Sequence, residues 1–144
     1  MKLTLTILLL IIIAITTTDI SAKPKVKAKI TDNTVASLME GLNSENLGLK
    51  SSSAYMIGEL QLSKAVIPLM KILHQEKNEE MRIAAALALY KIGSPIAIQA
   101  VKQSIRFDDS ERVSKLCANF YSEYLKSKLI GEEINMEVAK TALK

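Results

Sequence analysis

The sequence predicts an all-α fold: a short α-solenoid, built as a right-handed superhelix of stacked antiparallel helix pairs. Three observations predict it. Residues 47–61 reappear in altered form at 79–93, so that Leu49-Lys50-Ser51-Ser52-Ser53-Ala54-Tyr55-Met56-Ile57 aligns with Met81-Arg82-Ile83-Ala84-Ala85-Ala86-Leu87-Ala88-Leu89 at an offset of 32 residues. Repeats of that length form solenoids, in which each unit buries its apolar face against the next. From residue 33 onward the apolar residues keep helical spacing, with no alternating strand pattern and no Asn-Gly or Asp-Gly hairpin signal. The punctuation shares the period: Asn46, Asn78 and Ser110 stand 32 apart, each ahead of a long helical stretch. Asn and Ser are favoured N-caps because their side chains accept hydrogen bonds from the unsatisfied N–H groups of a first helical turn.

The chain divides into four parts. Residues 1–22 read as a signal peptide: Lys2, an uncharged apolar run from Leu3 to Ile15, a polar Thr16-Thr17-Thr18-Asp19, then Ile20-Ser21-Ala22 as a small-residue cleavage site. The run is short for a membrane span, which needs about 20 residues. The expected product is an exported protein, periplasmic or secreted, cleaved after Ala22. Residues 23–32 read as a basic flexible arm. The whole chain carries 19 Lys and Arg against 15 Asp and Glu. Losing Lys2 and Asp19 leaves the balance at +4, and Lys23, Lys25, Lys27 and Lys29 account for all of it. Lysines alternating with Pro and small residues cannot bury a core. The repeat body is expected over 33–130, and 131–144 as a C-terminal polar segment or short capping helix.

Within the body, Val35, Leu38, Met39 and Leu42 mark a first helix over 33–42. Two helix pairs follow at 46–75 and 78–105, then a terminal helix at 109–128. Glu79, Glu80 and Glu111 place negative charge at helix starts, where it suits the dipole. Gly93 and Pro95 stop one helix and open the next. Ser53, Ala54, Ala85, Ala86, Cys117 and Ala118 recur at matching positions, and small side chains there let neighbouring helices approach. Cys117, the one cysteine of the chain, is accordingly a buried packing residue. Phe120, Tyr121 and Tyr124 are expected to cap the last face of the stack.

Met81-Arg82, Ala84-Ala85-Ala86-Leu87 and Ile92-Gly93 in one copy, with Leu49-Lys50, Ile57-Gly58 and Val66-Ile67-Pro68-Leu69 in the copy before, resemble HEAT-like repeats of the phycobilisome-lyase type. The third copy departs, with Val113-Ser114 and no Gly turn. The resemblance spans residues 33–125 and implies a helical-repeat fold rather than one activity. Related HEAT-like hydroxylases hold iron with repeated His-Glu pairs. Here His74 is followed by Gln75, and the corresponding end of the next short helix is Ile105-Arg106.

No convergent catalytic constellation is legible, so the expectation is a non-enzymatic protein with no cofactor and no metal. Glu79-Glu80, Asp108-Asp109 and Glu132-Glu133 read as helix starts. A neutral body argues against nucleic acid. Membrane contact would come only through an uncleaved segment 1–22 or the basic arm. The expected function is an exported scaffold that holds a protein partner on its concave face. The alternative is an enzyme or enzyme accessory of the HEAT-like lyase type carrying a metal or chromophore. Shorter second helices line the concave side of such stacks. Stepping along them gives Lys64, Pro68, Lys71 and Gln75, then Pro95, Gln99, Lys102 and Arg106, preceded by Asn33, Ser37, Glu40 and Ser44. Lys64, Lys71, Gln99, Lys102 and Arg106 are the expected contacts of an acidic or extended partner.

Overall fold

A computed structural model describes residues 30–142. The expected signal peptide and most of the basic arm lie outside the described residues. Among the described residues six α-helices follow one another: α1 (Asp32–Leu42), α2 (Leu47–Glu59), α3 (Val66–Gln75), α4 (Glu79–Ile92), α5 (Pro95–Phe107) and α6 (Glu111–Ala142). A 3-10 turn, Ser63–Ala65, leads into α3. No strand occurs among the described residues. The chain is an all-α solenoid. α2, α4 and α6 pack side by side in one row, and α1, α3 and α5 lie against them, so that the stack closes as the pairs α1/α2, α3/α4 and α5/α6.

The predicted caps form. Asn46 Oδ1 accepts from the N–H of Leu49 at 3.1 Å, Asn78 Oδ1 from Met81 at 3.1 Å, and Ser110 Oγ from Val113 at 3.3 Å. Each satisfies one donor that the helix cannot satisfy itself. The same interval sets the core. Leu69 and Leu73 of α3, Met81 and Leu89 of α4, Val101 of α5 and Val113 of α6 are shut off from solvent. Ser53, Ala54, Ala85, Ala86 and Cys117 are buried between the rows, with Ala118 half-buried beside them. Burial pushes the Cys117 thiol up to about 12, which keeps it protonated and unreactive.

Two glycines play different parts from those the repeat suggested. Gly93 ends α4 with φ +67°, and its N–H reaches Leu89 O at 3.1 Å. The matching residue one copy earlier is Gln61, not Gly58. Gln61 has φ +51° and follows α2, with the Leu62 N–H closing onto Ile57 O at 3.1 Å. Gly58 lies inside α2, where a Cβ would stand 2.9 Å from the Cα of Ala88 on α4. It serves close approach rather than a turn. A side chain in the left-handed region costs about 1 kcal/mol. Gln61→Gly is therefore expected to raise stability by about 1 kcal/mol, read as a higher midpoint in urea. An unchanged midpoint would mean that the Gln61 side-chain bond to the Lys91 carbonyl, 3.2 Å long, offsets the strain.

The C-terminus differs from expectation. No break occurs near residue 128, and a single helix of 32 residues runs through Gly131. Gly131 costs a helix about 1 kcal/mol relative to Ala, and no proline stands nearby to stop the chain. Leu129, Glu132, Glu133 and Met136, good helix formers, carry the helix past it. Glu132 and Glu133 thus lie in mid-helix rather than at a helix start.

Candidate protein-binding face

Between the stacked pairs runs a ladder of ion pairs with the period of the repeat. Lys50 at the start of α2 holds Glu76 at the end of α3 at 3.3 Å. One copy on, Arg82 at the start of α4 holds Asp108 at the end of α5 through Nε at 3.0 Å and Nη2 at 2.9 Å. Arg82 Nη1 also donates to the carbonyls of Glu76 and Lys77 at 2.9 and 3.2 Å, tying both rungs together. The next position is Ser114, which donates to the Ile105 carbonyl instead. Asp108 therefore serves as an inter-repeat lock and not as a helix start. Its Oδ1 also accepts from the Ser110 N–H at 2.8 Å, fixing the loop into α6. Two further pairs, Glu59 with Lys91 and Glu80 with Arg112, join residues 32 apart.

Glu76 is held below the ordinary carboxylate value of 4.5, first by the Asn78 N–H and then by Lys50. A depressed folded value means that Glu76 favours the fold above about 4.5 and loses that contribution as pH falls through the folded value.

The two rungs floor two clefts. One lies between α1 and α3, lined by Asn43, Lys50, Pro68, Lys71, Gln75 and Glu76. The other lies between α3 and α5, lined by His74, Gln75, Arg82, Ser104, Phe107 and Asp108. At about 310 and 360 Å³ they sit at the small end of ligand pockets. Among the described residues no group of three or more His, Cys, Asp or Glu could hold a metal, and no helix is long and apolar enough to cross a membrane.

The five predicted contacts are all exposed, but they do not form one strip. Lys71 borders the α1–α3 cleft. Gln99, Lys102 and Arg106 share a patch of α5 with Gln103 and Phe107. Lys64 stands in the 3-10 turn ahead of α3. The step from Lys71 to Lys102 is 31 residues, one short of the period. Burial and the terminal acids Glu76 and Asp108 set α3 and α5 in a register of 32, which matches Lys71 with Gln103. Lys102 is turned toward α6, its ammonium 5.5 Å from the centre of the Tyr121 ring. Phe120 stacks on Tyr90 of α4 with centroids 5.6 Å apart, so it packs α6 onto the stack.

The sequence reading missed the apolar part of this face. Among the described residues outside α6, the three most exposed large apolar side chains are Ile67 at 66%, Ile96 at 60% and Phe107 at 78%. All three stand on α3 and α5. Helical stepping could have found them, because Ile67, Lys71 and Gln75 share one face, as do Ile96, Gln99, Gln103 and Phe107.

An all-helical stack with a constant period, locked by pairs between copies and open along one row of helices, defines a helical-repeat protein. The chain matches the HEAT repeats over residues 35–119 and belongs to the HEAT-repeat family. HEAT repeats as a class mediate protein–protein interaction. No curated protein shows significant similarity to the chain.

Proposed function

We propose that this protein is an exported HEAT-repeat scaffold that holds a protein partner on the face made by α1, α3 and α5. The observation that carries the reading is the placement of Ile67, Ile96 and Phe107, which stand out from the second helices among Lys71, Gln99, Gln103 and Arg106. Apolar anchors ringed by polar groups are the usual composition of a binding hot spot. The cations favour an acidic partner, as complementary charge speeds encounter and rejects wrong partners. Export and cleavage after Ala22 rest on the layout of residues 1–22. The alternation of Met81-Arg82, the alanines and Ile92-Gly93 supports kinship with the lyase-type HEAT repeats, a kinship of repeat form.

The test is capture of partners from an envelope extract by the recombinant chain. Phe107→Ala is expected to weaken capture by about 2 kcal/mol, roughly 30-fold. Lys71→Glu combined with Lys102→Glu is expected to cost less, about 1 kcal/mol, with more loss at low salt. Helicity by circular dichroism is expected to be unchanged in both variants, because all three residues are exposed. Full capture by both variants would overturn the choice of face. The intact mass of the protein recovered from its native host reads the cleavage: export predicts a chain beginning at Lys23.

A further inference from the structure

We propose that the C-terminal half of α6 joins two copies of this chain as an antiparallel helix pair. α6 has 32 residues, about 48 Å of helix, whereas α4 has 14, about 21 Å. Its N-terminal half packs on α4 and α5. Ser127 still borders a cleft with Gly58, Gln61 and Tyr90, and beyond it the helix runs clear of the stack: Leu129 and Met136 are exposed at 62% and 55%, and Leu125 just before it at 42%. These three share one face with Glu132 at spacings of 4, 3 and 4, the seam of a two-helix coil.

The charges beside that seam select both the occupant and its direction. Lys126 and Glu133 lie seven residues apart on one flank, and Lys128 lies on the other. In an antiparallel pair with Leu125 opposite Met136 of the second copy, Leu129 falls opposite Glu132. That register sets Lys126 against Glu133 of the second copy and Lys128 beside its Glu132. The two-fold axis repeats both pairs, which makes the surface complementary to itself. A parallel pair would instead face Glu132 with Glu132 across the seam, a like-charge contact that disfavours it. Lys126 holds Glu123 at 2.8 Å within the chain, an exposed pair worth too little to resist exchange. A second apolar row, Ile130, Ile134 and Val138, has charged neighbours on one flank only, with Gly131 and Asn135 on the other, so it does not specify a copy of itself in the same way.

The experiment is sedimentation equilibrium of the full-length chain from about 5 to 200 µM, a range that brackets the affinity expected of so short a seam. The wild type is expected to dimerise. The variant Lys126→Glu, Lys128→Glu and the variant Glu132→Lys, Glu133→Lys are each expected to be monomeric, with unchanged helicity. Mixed in equal amounts, they are expected to form a heterodimer, because each supplies the charges that the other has lost. Association through any other apolar segment would survive both reversals. A wild type that stays monomeric at the highest concentration, including one that binds lipid vesicles instead, would overturn the proposal. So would a dimer indifferent to the reversals, or a mixture that does not associate.

Discussion

Arg82→Ala is expected to lower the stability of the solenoid by about 3 kcal/mol. The Arg82 side chain is 12% exposed and that of Asp108 5%. Removing the cation leaves a buried anion that keeps, among the described residues, the hydrogen bond from the Ser110 N–H. It also frees the carbonyls of Glu76 and Lys77, to which Arg82 donates. The loss is thus larger than that of a surface ion pair, which is worth about 1 kcal/mol or less. Arg82→Lys is expected to fall between. A lysine cannot make the forked contact, and Lys50 at the matching position holds Glu76 by one bond of 3.3 Å. Urea unfolding followed by circular dichroism measures each. If the orphaned carboxylate causes most of the loss, Arg82→Met combined with Asp108→Leu recovers much of it. A loss below about 1 kcal/mol for Arg82→Ala would show that the rung is ornamental.

Gly58→Ala is expected to destabilise by about 2 kcal/mol, against the usual sign. In an exposed helix interior, alanine in place of glycine gains about 1 kcal/mol. Here the new methyl would stand 2.9 Å from the Cα and 3.3 Å from the Cβ of Ala88. Both belong to a helix packed on α2, so neither can yield as a flexible side-chain tip would. The two helices must separate, and overpacking of this kind costs about 1–3 kcal/mol beyond the lost gain. The matched control is Gly48→Ala, at an exposed site where the nearest neighbour of a Cβ is the Asn46 side chain at 3.2 Å. Gly58→Ala is expected to lower the urea midpoint clearly more than this control. A rise for Gly58→Ala would contradict the close approach.

Much of the fold was legible because one interval governs local chemistry and packing alike. Asn46, Asn78 and Ser110 announce helix starts through the hydrogen bonds that their side chains can accept. The small residues at 53–54, 85–86 and 117–118 announce where the rows touch. What was hidden depends on contacts between copies. Gly58 looks like the turn glycine of Ile92-Gly93, yet the left-handed residue is Gln61, and only the distance to Ala88 tells the two apart. The ladder left a trace that pairing arithmetic could have found: Lys50 to Glu76 and Arg82 to Asp108 are each 26 residues apart, one copy shifted from the other. Gly131 looked like an end because a glycine after a helix often is one, but a helix of strong formers absorbs it. The proposed binding face was half legible. Its cations are visible in the sequence, while Ile67, Ile96 and Phe107 resemble core residues until the stack shows them exposed among the described residues.

The central claim is that partners dock on α3 and α5. It is tested most directly by placing a photo-crosslinking amino acid at Gln99 or at Lys71, and at Asn119 on the exposed side of α6 as the comparison. Illumination in the native host is expected to give the same protein adduct from Gln99 and Lys71 and none of it from Asn119. That adduct should disappear when Phe107→Ala is added. Adducts from Asn119 alone would contradict the account and place the partner on the other row of helices.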